Sequence, residues 1–262
     1  LSPQDEAEGR CEDSPVVAFY QSASGVESIA RFLRGEGDDL TALTQEFYLT
    51  YPDRYDFIYL IADVPEGNGR YTRVRTPARP EIGLTNSAES LEYGSPERLK
   101  GVVALNLKNG NGPTLHETLH HWGMFLDQRL GFGGEWGPHW GPTSVNGQHG
   151  GFDRSTLRCS APEGETLLCD RNAEGLMEVS TAPFSPNANG GDAVPYAPLE
   201  LYLMGLLDAE EVEEEFLILE QTTFLGEAND RLQFTTSNIR TVTMDEILST
   251  QGGTRALLSE EE

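Results

Sequence analysis

The chain has 262 residues, of which 37% are hydrophobic and 9% aromatic, so it is long enough and apolar enough to bury a core and is not a disordered chain. Its 43 acidic and 18 basic residues give a formal net charge of −25, which disfavours nucleic acid and anionic membrane surfaces as partners. No apolar run reaches the length of a membrane-spanning helix, so we expect a soluble globular protein with no membrane partner.

The first half of the chain alternates predicted strands and helices after an acidic, aperiodic lead-in at residues 1–14. Apolar runs predict strands, with a weaker candidate at 71–75, and apolar residues at helical spacing predict helices. The strands are expected at 16–20, 56–64, 71–75 and 101–107, and the helices at 25–33 and 40–49.

The second half contains longer irregular stretches. Thr114, followed three residues later by Glu117, has the pattern of a capping box and predicts a helix from about 115 to 130. The glycine-rich residues 131–151 are expected to form a loop, and residues 153–198 to be irregular. Further elements are a helix at 198–207, strands at 216–219, 232–236 and 239–242, and a final helix capped within 243–248.

Two of the three cysteines are spaced for a disulfide. Cys159 and Cys169 enclose nine residues that include Pro162 and Gly164, a loop that a disulfide closes easily, whereas Cys11 has no nearby partner. Disulfides persist in oxidising compartments. Because the chain also begins without Met, we expect a signal sequence to have been removed and the protein to be secreted or periplasmic.

The segment His116-Glu117-Thr118-Leu119-His120 carries the clearest chemical signal. On a helix, residues four apart share a face, so the two imidazoles can bind one Zn²⁺ ion with Glu117 beside them as general base. All five histidines of the chain, 116, 120, 121, 139 and 149, lie within 34 residues of one another. The sequence therefore predicts a zinc site in which His121 points away from the ligand face.

The chain resembles secreted bacterial zinc metallopeptidases of the zincin type. The resemblance rests on HETLHHWG, PHWG, SVNG and YAPLELYLMGL in that order, and on the upstream segment FYLTYPDRYDFIYLIADVP, and it covers roughly residues 45–210. It implies an α+β, zincin-like fold: an N-terminal subdomain (15–130) with a mixed sheet, a backing helix and the active-site helix, then an irregular C-terminal subdomain (131–262). It also implies an endopeptidase that hydrolyses peptide bonds of a protein or peptide substrate with a zinc-activated water and Glu117.

The third zinc ligand is left open by the sequence. Metzincins continue their motif with a Gly, present here as Gly123, and then His or Asp, where this chain has Leu126. Asp127 would lie about 10 Å beyond His120 on a continuous helix. We prefer His139, in the segment EWGPHWG; the other candidates are Glu200, which would match thermolysin-like enzymes, and His149.

The sequence is also compatible with other functions and ligands. One alternative is a non-catalytic module with a closed zinc site in which His149 is a fourth ligand, and another is a zinc hydrolase of a non-peptide amide. Tyr196, Tyr202 and His149 are candidates for stabilising an oxyanion. The acidic composition raises Ca²⁺ binding as a further possibility, although NANGGDA at 187–193 is more typical of a turn.

Overall fold

The computed structural model describes residues 23–37, 40–65, 67–76, 87–88, 91–109, 113–123, 126, 128–133, 136–159, 169–182, 184–185, 193–228 and 230–251. The helices are α1 (Ala23–Leu33), α2 (Thr41–Thr50), α3 (Thr114–Leu119), α4 (Pro198–Met204) and α5 (Met244–Gln251). The strands are β1 (Phe57–Ala62), β2 (Gly69–Arg73), β3 (Arg75–Thr76), β4 (Ser87–Ala88), β5 (Gly101–Asn106), β6 (Gly151–Phe152), β7 (Arg158–Cys159), β8 (Met177–Thr181), β9 (Phe184–Ser185), β10 (Glu215–Glu220), β11 (Thr223–Ala228), β12 (Arg231–Thr236) and β13 (Asn238–Thr243). This mixture confirms the α+β class.

A three-stranded mixed sheet underlies the N-terminal half. Its order is β1-β5-β2, with β1 parallel and β2 antiparallel to β5. The central strand β5 is buried along its whole length, as expected for the apolar run GVVALN. The sheet therefore presents the antiparallel strand β2 at one of its edges.

The helices cover both faces of this sheet. Ile58 and Val102 share a hydrophobic cluster with residues of α1, such as Phe32. Tyr59, the next residue along β1, points to the opposite face, where its hydroxyl lies 2.8 Å from Thr118 Oγ1 of α3. The sheet thus has α1 as a backing helix on one side and α3 on the other.

Helix α3 is shorter than the sequence predicted. It ends at Leu119, and the chain then tightens through bonds such as Trp122 N–H to the Leu119 carbonyl (2.9 Å). Gly123 lies against the His149 ring, where a Cβ atom would come within 2.8 Å of the imidazole. The predicted capping box is also wrong, because Pro113 is the N-cap and no side chain caps this helix.

The C-terminal half is more regular than predicted. Strand β8 was missed, and it lies in a four-stranded sheet of order β11-β12-β8-β7, while β10 pairs with β13. Five-residue strands such as β8 owe their conformation to pairing with neighbours, which a local pattern does not reveal. The expected disulfide between Cys159 and Cys169 is confirmed, as is a cap for the final helix: Thr243 and Glu246 form a capping box at α5.

Several predictions concern parts of the chain outside the described residues. These are the lead-in at 1–14, the strand at 16–20, Cys11, Asp127 and most of the segment 187–193. Among the described residues, no helix is long and apolar enough to cross a membrane.

Candidate metal centre

Three histidines converge at the C-terminal end of α3. His116 Nε2 lies 3.2 Å from His120 Nε2 and 3.2 Å from His139 Nε2, and the three ligand atoms all lie within 4.8 Å of one another. Nitrogen atoms bound to one tetrahedral zinc ion at 2.0–2.1 Å are separated by about 3.3 Å. The histidine atoms are thus close enough to hold one metal ion.

Hydrogen bonds at the opposite ring nitrogens determine which tautomers are present. His116 Nδ1 lies 2.8 Å from the Gln148 carbonyl, and His139 Nδ1 lies 3.2 Å from the Trp136 carbonyl. A carbonyl only accepts, so each Nδ1 carries the proton and each neutral ring keeps its Nε2 lone pair. The two Nε2 atoms therefore face each other as acceptors, an arrangement that a cation between them stabilises.

Burial keeps these rings neutral. It lowers the pKa of His116 to about 4 and that of His120 to about 2, and it also lowers the pKa of His139. Neighbouring histidines add to the effect at His116 and His120, because protonation of one ring would place positive charge beside the other. Neutral imidazole is the form that binds metal ions.

Glu117 lies beside the cluster, at the edge of the N-terminal sheet. Its side chain is buried, and its carboxylate accepts a hydrogen bond from the Tyr71 backbone N–H of β2. Burial raises the pKa of Glu117 to about 7, while the charge of Arg70 and the Tyr71 bond act in the opposite direction. A carboxylate with a pKa near neutrality suits a general base.

Glu200 is not part of the histidine cluster. It is fully buried in α4, and both of its carboxylate oxygens are already saturated by four N–H donors. These donors are Trp140 Nε1 (2.7 Å) and the backbone nitrogens of Gln148, His149 and Ala197 (2.9 Å each). Burial raises the pKa of Glu200, and all four hydrogen bonds oppose that shift by favouring the ionised form.

His149 packs against the cluster without joining it. Its ring centroid lies 4.2 Å from that of His120 and 4.7 Å from that of His116. Its Nε2 lies 3.1 Å from the His116 backbone carbonyl, so this nitrogen carries the ring proton and donates a hydrogen bond to the main chain. Among the described residues, the group of converging ligands contains His116, His120 and His139 and no fourth member.

The other candidate side chains have structural partners. His121 points away from the cluster, as expected, and its Nδ1 lies 2.8 Å from the Tyr71 hydroxyl. The Tyr196 hydroxyl donates to the Leu115 carbonyl (2.8 Å), and Tyr202 is buried in a hydrophobic cluster. Sequence reasoning missed Gln148, whose carbonyl holds His116; the only signal was its place in the glycine-rich loop.

The donor set fits a metal ion such as zinc. Three neutral imidazoles, two of them oriented by carbonyl groups, form the ligand arrangement that zinc enzymes use with a fourth position left for water or substrate. Comparisons with protein-family models, curated proteins and solved structures found no match to this chain. The argument for function therefore depends on the geometry of the site.

Proposed function

We propose that this protein is a secreted, zinc-dependent endopeptidase of the zincin type. The observation that carries the proposal is the convergence of three histidine Nε2 atoms with Glu117 one residue from the first of them on α3. His116, His120 and His139 would hold the metal ion, and Glu117 would act as general base. When bound, a zinc ion lowers the pKa of a coordinated water and polarises a substrate carbonyl.

Glu117 has the position and the environment for proton transfer. In the proposed reaction its carboxylate takes a proton from the attacking water and then gives that proton to the leaving amine. The charge of Arg70 and the Tyr71 backbone favour the ionised form of this carboxylate and oppose the rise in its pKa that burial causes. The Gln148 and Trp136 carbonyls meanwhile keep the protons of His116 and His139 on Nδ1, away from the metal-binding atoms.

The neighbouring strand edge supports a peptide substrate. Val74 N–H donates to the Lys100 carbonyl across the sheet, whereas the Tyr71 N–H points the other way, to Glu117. Alternate backbone groups of β2 thus point away from β5, on the side of the sheet where Glu117 lies. Main-chain hydrogen bonding to an edge strand is a common way to bind an extended peptide, and on this ground we propose a peptide rather than a non-peptide amide as the substrate.

Two further observations support the remaining parts of the proposal. Because the described ligand group has three members, it leaves a coordination position for water, whereas the alternative of a closed structural zinc requires a fourth protein ligand. The disulfide between Cys159 and Cys169 is typical of proteins from oxidising compartments and supports secretion.

The test is Glu117→Gln, which removes the base and leaves the three histidines in place. Zinc content should stay at one ion per chain, while hydrolysis of casein should fall about 100- to 10,000-fold. Glu210→Gln, at an exposed position on the C-terminal half, is the matched control and should retain wild-type turnover. Zinc content is measured by elemental analysis. Casein hydrolysis is measured before chelation, after chelation and again after zinc is restored.

The outcomes separate the parts of the proposal. Turnover by Glu117→Gln within a few-fold of wild type would remove Glu117 from the mechanism. A wild-type protein that binds zinc but cleaves no casein or peptide library would contradict the peptidase function. A protein that binds no zinc would contradict the metal centre itself.

A further inference from the structure

Glu200 makes more hydrogen bonds than its helix requires. Its bond from the Ala197 N–H, across the first turn of α4, is an ordinary helix-start interaction. The other three donors come from a different part of the chain: Trp140 Nε1, and the backbone N–H groups of Gln148 and His149. A fully buried carboxylate therefore holds the loop that follows the metal-binding helix.

The first connection runs from Glu200 to His116. Glu200 Oε2 accepts a hydrogen bond from the Gln148 N–H (2.9 Å). The Gln148 carbonyl in turn accepts a hydrogen bond from His116 Nδ1 (2.8 Å). Glu200 Oε1 also accepts from the His149 N–H, which belongs to the same peptide unit as the Gln148 carbonyl, so displacing that unit would move the group that fixes the His116 tautomer and ring plane. Such indirect partners of metal ligands control affinity because they orient the ligand atoms.

The second connection runs to His139. Glu200 Oε1 accepts from Trp140 Nε1 (2.7 Å), and Trp140 is the residue directly after His139. The Trp140 backbone N–H also donates to the His149 carbonyl (2.8 Å), which ties the two loop segments together. The Glu200 carboxylate thus holds Trp140, the chain neighbour of His139. It also holds Gln148, the hydrogen-bond partner of His116.

The contact between the loop and the carboxylate leaves no space for adjustment. Gly147 packs so closely on Glu200 that a Cβ atom there would lie 2.2 Å from Oε2. Gly147 and Gly150 exchange two backbone hydrogen bonds of 2.9 and 3.1 Å, which fold this segment into a tight turn over the carboxylate. The position of Gln148 is therefore set by Glu200 and by this turn, together with the bond from its side-chain amide to the Val194 carbonyl.

We propose that Glu200 is a positioning residue of the metal centre, whose carboxylate orients His116 through Gln148 and His139 through Trp140. The inference rests on the metal-binding part of the proposed function and is independent of peptidase activity. It gives a role to a residue that the sequence offered as a direct zinc ligand. Glu200 shapes the site without contacting the ion.

The experiment measures binding of Co²⁺ and Zn²⁺ to the full-length metal-free protein. Glu200→Gln replaces one acceptor oxygen with an NH₂ group that faces N–H donors, so affinity for both ions should fall about 10- to 100-fold. The visible absorption bands of the Co²⁺ protein should shift because the ligand directions change. Trp140→Phe removes only the indole donor and should shift the bands the same way with a smaller loss of affinity.

Thr236→Val is the control for a general loss of stability. Thr236 is fully buried in β12, which pairs with β8 and β11, and its hydroxyl donates to the Glu220 carbonyl (2.7 Å). This variant should lose stability and keep wild-type cobalt affinity and spectrum. If Glu200→Gln does not fold, Trp140→Phe alone decides the question.

Two results overturn the inference in different ways. If Glu200→Gln, or Trp140→Phe in its place, binds cobalt with wild-type affinity and spectrum, Glu200 supports only the fold. If the wild-type protein binds neither ion, the metal centre fails and the inference fails with it. A wild-type protein that binds cobalt but cleaves no peptide contradicts only the proposed activity.

Discussion

His139→Ala tests the metal centre most directly. Structural zinc sites bind with about 10 kcal/mol or more of free energy, so an equal share among three ligands assigns about 3 kcal/mol to His139. Its loss should weaken zinc binding by about 100-fold or more. In the metal-free protein the substitution removes the hydrogen bond from His139 Nδ1 to the Trp136 carbonyl, so the free energy of unfolding should fall by only about 1 kcal/mol.

His121→Ala is the matched control for this measurement. His121 is buried next to His120 in the chain, but its ring bonds to the Tyr71 hydroxyl and lies outside the ligand group. This variant should lose about 1–3 kcal/mol of stability while keeping zinc affinity near that of wild type. Affinity is measured by competition with a chromophoric chelator, and stability by urea unfolding of the metal-free protein.

The reasoning is refuted if His139→Ala binds zinc within about threefold of wild type. In that case Asp127→Ala decides whether that carboxylate is the third ligand, whereas Glu200→Ala cannot decide, because Glu200 is expected to affect affinity indirectly. A loss of binding in His121→Ala equal to that in His139→Ala would show that the measurement reports damage to the fold and not removal of a ligand.

Three further predictions concern stability. Burial lowers the folded-state pKa of His116 to about 4 and of His121 to about 3, so below pH 6.5 the unfolded state binds more protons at these residues, and each should cost the metal-free protein about 2 kcal/mol between pH 7 and pH 5. Glu117 acts in the opposite direction and offsets about 2 kcal/mol, because its folded-state pKa of about 7 lets the folded state bind the proton over the same range; a urea midpoint that does not fall would contradict the net loss. Replacing Cys159 and Cys169 by Ser should cost about 3 kcal/mol, measured by denaturant unfolding, because they close a loop with a sequence separation of 10; labelling of both by a thiol reagent in the unreduced wild-type protein would refute the bond. Gly147→Ala should cost about 1–3 kcal/mol in the same assay, since its Cβ would lie 2.2 Å from a buried carboxylate oxygen, and unchanged stability would show that the loop can move.

The sequence could predict features that depend on local spacing. His116 and His120 are four residues apart, and one turn of helix is enough to bring their Nε2 atoms within 3.2 Å. Cys159 and Cys169 are near each other in the chain, so a short loop suffices to join them. The apolar run of β5 likewise predicted a buried strand, because every residue of a central strand meets a covered face. The apolar run at 56–64 predicted a buried central strand as well, but β1 lies at an edge of the sheet and leaves Tyr59 and Ile61 exposed.

Contacts between distant residues had to come from the tertiary structure. The helix pattern continued past Leu119, but bonds to residues three back and the packing of Gly123 on His149 end the helix there. Strand β8 was missed for the same reason, since its partners β7 and β12 lie on either side of it in the sheet and far apart in the chain. Local propensity is weaker than such tertiary contacts.

The choice of the third proposed ligand shows most clearly which features depend on local spacing and which depend on contacts between distant residues. From sequence, His139, Glu200, Asp127 and His149 all remained available, because loop closure lets any of them reach the first two histidines. In the folded chain His139 lies 3.2 Å from His116, while the Glu200 carboxylate is saturated by four N–H groups 2.7–2.9 Å away. The sequence by itself determined the relative placement of His116, Glu117 and His120, the first two proposed ligands and the proposed base, since one helical turn sets their spacing. Only the tertiary structure decided which distant side chain joins them, because a buried polar group binds the partners that folding brings to it.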